Sequence, residues 1–202
     1  MENKVLDLVN ECPVWRHFRS GDPGALGVIF NEHYDSLYFY GKKLIQDDDL
    51  VKDCVQNLFL KIWMTRHKLM AVESVRPYLL KSLRRHIADQ VIARNRKTAM
   101  QVDFHGDFAI TFSHEDFLVA MQASSEQRES LLRSLNSLPA RQREAIFLKF
   151  YEDLEYARIA EVMTLNVQSV RNLIHQSLKT IKEQMNLSNR VLVSVNARRR
   201  QA

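Results

Sequence analysis

Glycine and proline are scarce in this chain, whose 202 residues include five Gly and four Pro. None of the four prolines interrupts a strongly periodic segment, so the sequence favours an all-helical protein with short connections. No apolar run approaches the roughly 18 to 20 residues of a membrane span, which argues against membrane insertion. The N-terminal residues lack the basic start and apolar block of a secretory signal. We therefore expect a cytoplasmic protein.

Cysteine is equally scarce, and recognisable catalytic patterns are absent. Cys12 and Cys54 are isolated thiols without CxxC spacing, which argues against a disulfide framework or a zinc finger. His105 and His114 lie near several carboxylates, but no helical or finger-type ligand spacing supports a metal site. There is also no Gly-rich phosphate loop and no nucleophile with a base at motif spacing. The sequence predicts a protein that is not an enzyme and holds no cofactor or metal.

The formal net charge is +5, and its distribution is more informative than its sum. Residues 76–97 carry seven Lys and Arg residues against Asp89 alone, a net charge of +6. Residues 46–53 (QDDDLVKD) form an acidic stretch instead. The two segments predict separate surfaces for an anion and for a protein. For residues 76–97, the alternative to polyanion binding is an ordinary solvated helix face.

Hydrophobic spacing predicts three helices in a first domain, residues 14–97. The residues SGDPG form a turn before a helix with an aromatic face. The second helix begins within Asp47-Asp48-Asp49, whose carboxylates suit a helix N-terminus, and the third follows Pro77. Residues 64–75 break the pattern and are predicted to form a loop. The apolar positions of the second and third helices are Val51, Val55, Leu58, Ile62, Leu80, Leu83, Ile87 and Val91.

The second half of the chain has a different organisation. Periodicity fades after residue 97, and we assign residues 98–130 to a linker that touches other parts of the protein. A second helical domain follows at 131–186, in which Pro139 opens a helix. Residues 187–202 form a basic tail.

Residues 156–179 (YARIAEVMTLNVQSVRNLIHQSLK) have the pattern of a helix-turn-helix. Ala160 is small enough to let the two helices approach where they cross, with Ile159, Met163 and Leu165 beneath it. On the second helix one face is apolar, formed by Val170, Leu173, Ile174 and Leu178. The opposite face has no carboxylate and combines side chains that pair with base edges with cations that pair with phosphate. Its members are Gln168, Arg171, Asn172, His175 and Lys179.

The turn of this motif is unusual because Thr164 stands where glycine is typical. A residue at this position adopts a positive φ or nearly so, which costs threonine about 1 kcal/mol. We interpret the segment as a DNA-reading helix-turn-helix with an atypical turn. The alternative is an ordinary helical hairpin without a role in DNA binding.

Two blocks of sequence together resemble the sigma-70 family of bacterial RNA polymerase sigma factors, in its extracytoplasmic-function (ECF) subgroup. The first block is similar to conserved region 2 and comprises GDPGALGVIFNEHYDSLYFYGKKLI, DDLVKDCVQNLFLKIW and RPYLLKSLRRHIADQVIARNRK. The other block is similar to region 4 and reads LNSLPARQREAIFLKFYEDLEYARIAEVMTLNVQSVRNLIHQSLKTI. Asp53, Gln56 and Phe59 match the Asp, Gln and Phe of the family pattern. The resemblance implies two small helical domains joined by a linker.

The sequence departs from the family pattern at six positions. In the first block, Cys54 stands in place of a common leucine, Asn57 in place of an acid and Arg85 in place of a frequent asparagine. In the other block, Asp153 and Thr164 replace glycines, and Arg158 replaces a glutamate.

The resemblance implies a protein that binds core RNA polymerase and directs promoter-specific initiation. Polymerase contacts, with the β′ subunit, are expected at Asp53, Gln56, Asn57 and Leu60. Contacts with the −10 promoter element are expected at Arg66, Lys68, Lys81, Arg84 and Arg85. Contacts with the −35 element are expected at Gln168, Arg171, Asn172, His175 and Lys179. Parts of residues 139–163 that do not contact DNA would bind the β subunit flap.

Trp63 is a candidate for base stacking, although its place after Ile62 is more typical of a core residue. An anti-sigma factor is a further candidate partner. Two other functions remain open. One is a helix-turn-helix regulator of the response-regulator effector type, which acts without being a polymerase subunit. The other is a helical interaction protein that does not bind DNA.

Overall fold

The computed structural model describes residues 11–97, 111–112 and 125–199, with side chains at 11–94, 111–112 and 125–185. No β-strand occurs in these ranges, and the predicted all-α fold is confirmed. None of the helices described is both long and apolar enough to cross a membrane. The helices are α1 (Pro13–Ser20), α2 (Pro23–Leu44), α3 (Asp48–Thr65), α4 (Val75–Lys97), α5 (Ser125–Asn136), α6 (Ala140–Phe150), α7 (Tyr156–Met163) and α8 (Val167–Arg199), with a 3-10 turn at Arg66–Lys68.

The turn between α1 and α2 forms as the sequence predicts. Gly21 ends α1 in the left-handed conformation, with φ of 97°. Asp22 then caps α2, because its Oδ1 accepts a hydrogen bond of 2.8 Å from the backbone N–H of Gly24. Pro23 occupies the first helical position, where its missing N–H costs nothing.

The acidic start of α3 is also as predicted. Asp47 Oδ1 accepts a hydrogen bond of 2.9 Å from the backbone N–H of Leu50. That hydrogen bond, together with the guanidinium of Arg94 at 2.7 Å, lowers the pKa of the Asp47 carboxyl. Arg94 belongs to α4, so the cap of α3 is also a contact between two helices.

Helices α1 to α4 form a first unit in which α2, α3 and α4 contact one another. The predicted apolar positions on α3 and α4 are buried, apart from the partly buried Val91. Gly41 of α2 faces Val51 of α3 so closely that a Cβ on Gly41 would lie 2.6 Å from Val51 Cγ1. Glycine is therefore required at this position for α2 and α3 to pack at their observed separation.

Helices α5 to α8 form a second unit in which α8 contacts the other three helices. Helix α5 begins at Ser125, inside the segment 98–130 that was assigned to the linker. The backbone of α8 continues to Arg199, through most of the predicted basic tail. The division into domains at 14–97, 98–130, 131–186 and 187–202 stays a prediction.

One part of the predicted linker does touch the rest of the protein. Phe112 is buried, and its backbone N–H and C=O are both bonded to the side-chain amide of Asn136, at 2.8 and 3.0 Å. The carbonyl of Thr111 accepts a hydrogen bond from Lys43 of α2. Thr111 and Phe112 are therefore held between the two units. His105 and His114 lie outside the described residues.

We predict that Gly41→Ala lowers the free energy of unfolding by about 1–3 kcal/mol, because the added methyl group overpacks a buried, β-branched neighbour. Gly27→Ala is the matched control on the same helix, since a Cβ there meets nothing within 4 Å. It should raise stability by about 0.5–1 kcal/mol through helix propensity. Urea unfolding followed by circular dichroism measures both, and equal effects of the two substitutions would contradict the close contact at Gly41.

Candidate nucleic-acid interface

Helices α7 and α8 form the predicted helix-turn-helix. Thr164 ends α7 with φ of 56° and ψ of 48°, so the predicted positive φ is confirmed. The backbone N–H of Leu165 donates to the carbonyl of Ala160 at 2.9 Å, which closes the turn. Asn166 then caps α8, with its Oδ1 accepting from the N–H of Ser169 at 2.7 Å. A threonine therefore serves as the left-handed residue between two helices.

The apolar face of α8 agrees with the prediction except at Leu178. Val170 and Ile174 are buried, and Leu173 is partly buried. The side chain of Leu178 is 45% exposed, and Ser177 takes the buried position instead. Ser177 satisfies its hydroxyl by donating to the carbonyl of Leu173 at 2.7 Å. Leu178 therefore does not complete the buried face as predicted, because a polar residue can be buried when it bonds within its own helix.

The opposite face of α8 is solvent-exposed at every predicted position. The exposed residues are Gln168, Arg171, Asn172, His175 and Lys179. Within this face, Gln168 Nε2 donates to Asn172 Oδ1 at 3.0 Å. The five side chains form one exposed stripe of amide, cationic and imidazole groups, whose chemistry suits contacts with base edges and phosphates.

Two residues beside this face, Lys149 and Tyr156, were not predicted from the sequence. The guanidinium carbon of Arg171 lies 5.8 Å from the centre of the Tyr156 ring, and Lys149 Nζ lies 5.6 Å from the same ring. Tyr156 stands at the first position of α7, exposed beside the start of α8. The sequence does place an aromatic residue, Tyr156, at the start of the first helix of the motif. Its contacts with Arg171 and Lys149 depend on the tertiary structure, so they could not be predicted.

The second group of predicted DNA contacts surrounds the segment between α3 and α4. Lys68, Lys81 and Arg85 are exposed. Arg66 instead stacks on Trp63, with its guanidinium carbon 4.3 Å from the ring centre, and donates to the Trp63 carbonyl at 2.8 Å. Trp63 is partly buried and packs against the core, 6.0 Å from the Phe18 ring. The side chain of Trp63 is therefore already in contact with protein groups.

A pocket of about 320 Å³ lies between α3 and α4 beside this segment. Arg85 is the predicted contact residue that lines it, and Lys61, Ser82 and His86 line it as well. Burial lowers the pKa of His86, and the nearby charge of Lys61 adds to the effect while Asp89 opposes it. His86 therefore tends to be neutral near pH 7. Helical periodicity alone does not reveal this pocket, because two helices and a loop must assemble to form it.

Arg84, predicted to contact DNA, is paired with protein groups in this structure, and its role in DNA binding stays a prediction. Its Nε donates to Glu144 Oε1 at 2.8 Å and its Nη2 to Glu144 Oε2 at 3.3 Å. Tyr40 donates to the same carboxylate at 2.7 Å. Burial, followed by the charge of Glu144, raises the pKa of Tyr40 well above its usual value, so its hydroxyl keeps its proton. Arg84 points at the second unit and not at solvent.

The residues predicted to bind polymerase form one exposed stripe on α3. Asp53, Gln56, Asn57 and Leu60 are all exposed, and Leu60 remains 53% exposed despite its apolar side chain. An apolar groove of about 390 Å³ adjoins this stripe, and Gln56 and Leu60 belong to both. Its other walls include Leu26, Phe30, Phe59 and Trp63. An exposed apolar surface next to polar side chains is typical of a protein-binding site.

Comparison with known proteins finds similarity to sigma factors, both in a family model and in individual relatives. Residues 128–181 match the family described as "Sigma-70, region 4". The chain is 21% identical over 174 residues to the ECF RNA polymerase sigma factor SigK of Mycobacterium sp. (strain JLS), covering 86% of this chain and 89% of that protein. It is 20% identical over 161 residues to the ECF sigma factor SigM of Bacillus subtilis (strain 168), covering 78% and 93%.

Two solved structures share the fold. One is the sigma factor RpoE in complex with the anti-sigma factor NepR from Bartonella quintana, with a TM-score of 0.54, 20% identity and coverage of 78% of this chain and 94% of that one. The other is CnrH in complex with the cytosolic domain of CnrY, with a TM-score of 0.57, 16% identity and coverage of 86% and 96%.

The region 4 match falls on the helix-turn-helix, and the relatives match over both helical units. These similarities support a sigma factor of the sigma-70 family. The named relatives belong to the ECF group within that family.

We predict that Thr164→Gly is neutral or raises the free energy of unfolding by up to about 1 kcal/mol, because it removes the Cβ strain at positive φ. Gln176→Gly, at an exposed position inside α8, is the control and should cost about 1 kcal/mol. Thermal unfolding measures both. A loss at Thr164 as large as the loss at Gln176 would mean that residue 164 is not left-handed in solution.

Proposed function

We propose that this sigma factor binds core RNA polymerase, recognises −10 and −35 promoter elements and helps to open the DNA. The observation that supports the proposal most strongly is the combination of two different surfaces in one chain. The second unit carries an exposed base-reading stripe on α8, and the first carries basic residues beside a pocket between α3 and α4. One surface suits duplex DNA and the other suits unpaired bases.

The exposed stripe of α3 is the proposed binding site for the β′ subunit. Leu60 supplies an exposed apolar centre, and Asp53, Gln56 and Asn57 supply polar contacts around it. This arrangement resembles the anatomy of a protein interface, in which an apolar anchor is surrounded by polar groups. Part of residues 139–163 is the proposed site for the β subunit flap.

The pocket between α3 and α4 is the proposed site for an unstacked base of the −10 element. Opening a duplex requires a pocket for the extruded base and cations for the adjacent phosphates. Ser82 and His86 offer hydrogen-bonding groups inside the pocket, while Arg85 lies at its wall. Lys68 and Lys81 are exposed close by in sequence and are proposed to bind phosphate.

The exposed stripe of α8 is the proposed reader of the −35 element. Arg pairs well with guanine and Asn or Gln with adenine in the major groove, so Arg171, Asn172 and Gln168 are proposed to contact bases. His175 lies on the same stripe, and Lys179 is proposed to contact phosphate. Tyr156 would hold Arg171 in position through its ring.

The alternative function, a helix-turn-helix regulator that acts without polymerase, is not favoured. It accounts for the second unit alone, whereas the sigma factor relatives match across both units. An anti-sigma factor is a further proposed partner. The support for it is that RpoE and CnrH, which share this fold, were solved in complexes with NepR and with the cytosolic domain of CnrY.

We predict that Asp53→Arg combined with Gln56→Ala weakens binding to core polymerase by roughly tenfold or more, because it reverses a charge inside the proposed interface. Glu129→Arg makes the same charge reversal at an exposed carboxylate of α5 and serves as the control. Fluorescence anisotropy of labelled chain titrated with core measures the affinity. Equal affinities for both variants would rule out the α3 stripe as the binding site, provided that circular dichroism shows both to be folded.

We predict that Arg171→Ala costs about 1–3 kcal/mol in binding at matched promoters and relaxes the preference at one or two positions of the upstream element. Lys179→Ala is the contrasting variant, since loss of a phosphate contact weakens binding to all sequences about evenly. Holoenzyme binding to a promoter library distinguishes the two patterns. An unchanged sequence preference after substituting both Arg171 and Asn172 with Ala would refute base reading by α8.

A further inference from the structure

One strongly exposed apolar side chain lies in the loop that leads into α4. Among the described residues, Met70 has the most exposed large apolar side chain, at 79%. It follows the 3-10 turn at Arg66–Lys68, within the segment 64–75 that the sequence predicts to be a loop. Single exposed apolar residues are common on protein surfaces, so exposure alone does not indicate a function. What Met70 can do depends on how it is held and on what lies beside it.

The backbone around Met70 is held against α1. The indole N–H of Trp15, a fully buried residue, donates to the carbonyl of Met70 at 3.0 Å. Two residues further along, the carbonyl of Val72 accepts from the backbone N–H of Cys12 at 2.9 Å. Met70 therefore carries an apolar side chain into solvent from a backbone that hydrogen bonds fix in place. Neither hydrogen bond uses the Met70 side chain.

Met70 lies at the edge of the pocket between α3 and α4. Thr65 and Leu69, at the two ends of the 3-10 turn, are both in the wall of this pocket of about 320 Å³. Leu69 is extended, with φ of −73° and ψ of 141°, and its side chain packs against the core. Neighbouring side chains of an extended segment point to opposite sides, so Met70 points outward. The Cα atoms of Leu69 and Met70 are about 3.8 Å apart, which places Met70 at the rim.

The aromatic side chain in this part of the chain is already engaged. The guanidinium carbon of Arg66 lies 4.3 Å from the centre of the Trp63 ring, and the Phe18 ring lies 6.0 Å from it. Trp63 also lines the apolar groove beside the α3 stripe. Inserting the Trp63 ring between bases would break these contacts, whereas most of the surface of Met70 is already in solvent.

Cations and an apolar side chain meet at this rim. His67 and Lys68 are exposed just before Met70, and the exposed Arg85 lines the pocket. Cations of this kind bind the phosphates on either side of an unstacked base. Proteins that distort DNA insert apolar side chains, methionine among them, between base steps and thereby separate the stacked bases. A pocket, flanking cations and a fixed apolar side chain are together suited to hold a base out of its stack.

We propose that Met70 is the wedge that separates the base captured in the pocket from its neighbour in the −10 element. The Met70 side chain fills the space that the extruded base leaves, and it slows the return of that base to the stack. This inference rests on the proposed function. It adds the residue that keeps the step open, which the pocket alone does not supply.

The fluorescence of 2-aminopurine measures this step, because the probe brightens when it unstacks. The probe replaces one adenine of the −10 element at a time in a promoter duplex. We expect holoenzyme with Met70→Ala to show a roughly tenfold smaller equilibrium constant for opening than wild type, because it cannot offset the unstacking of the step. Met70→Leu keeps an apolar side chain of similar size and should stay within about twofold of wild type. Met70→Gln, which is polar, should resemble Met70→Ala.

A second template separates unstacking from other defects. A promoter mismatched across the −10 element has no paired bases to unstack, so holoenzymes with wild type and Met70→Ala should initiate from it within about twofold of each other. Met64→Ala is the matched control, since Met64 is 72% exposed and lies on α3, one turn beyond Leu60. A loss of core affinity in that variant affects both templates equally. The ratio of initiation on duplex to mismatched template should therefore fall for Met70→Ala and stay constant for Met64→Ala.

The outcomes distinguish the wedge from the proposed function. Equal opening by wild type, Met70→Ala and Met70→Gln on the duplex would overturn the wedge and leave the proposed function intact. A defect of Met70→Ala that is equally large on the mismatched template would also overturn the wedge, because Met70 would then act in binding and not in unstacking. If wild-type holoenzyme opens no promoter in genomic DNA and initiates from neither template, the proposed function fails, and the wedge fails with it.

Discussion

The buried carboxylate of Glu144 is the constraint on which the observed arrangement of the two units depends. Removing a carboxylate from water is costly unless charge and hydrogen bonds replace its hydration. Arg84 and Tyr40 provide both, and they do so only when the first and second units are in contact. Breaking such a buried pair typically costs about 3–5 kcal/mol, a large fraction of the stability of a small domain. The position of the exposed α8 stripe relative to the basic residues of the first unit follows from this contact.

Much of the fold could be predicted from the sequence, because local rules determine it. The acidic start of α3, the turn at Asp22 and Pro23, and the positive φ of Thr164 each depend on residues a few positions apart. Helical periodicity also identified the exposed stripe of α8. At Leu178 the same reasoning failed, since Ser177 can be buried by bonding to its own helix.

The partners of side chains across the fold could not be predicted in the same way. Periodicity assigns Arg84 to a face of α4, but it does not say that Glu144 covers that face. Fewer basic residues of 76–97 are therefore exposed in this structure than the net charge of the segment suggests. The pocket lined by Lys61, Ser82 and His86 could not be predicted for the same reason, because only tertiary packing brings its walls together.

We propose that this chain selects promoters as a subunit of RNA polymerase. Reconstitution with core polymerase on genomic DNA, followed by sequencing of transcript 5′ ends, tests it most directly. We predict new start sites that core alone does not use, each preceded by two shared elements centred about 25 base pairs apart. Start sites identical to those of core alone, together with binding of the free chain to duplex as a dimer at paired half-sites, would contradict it.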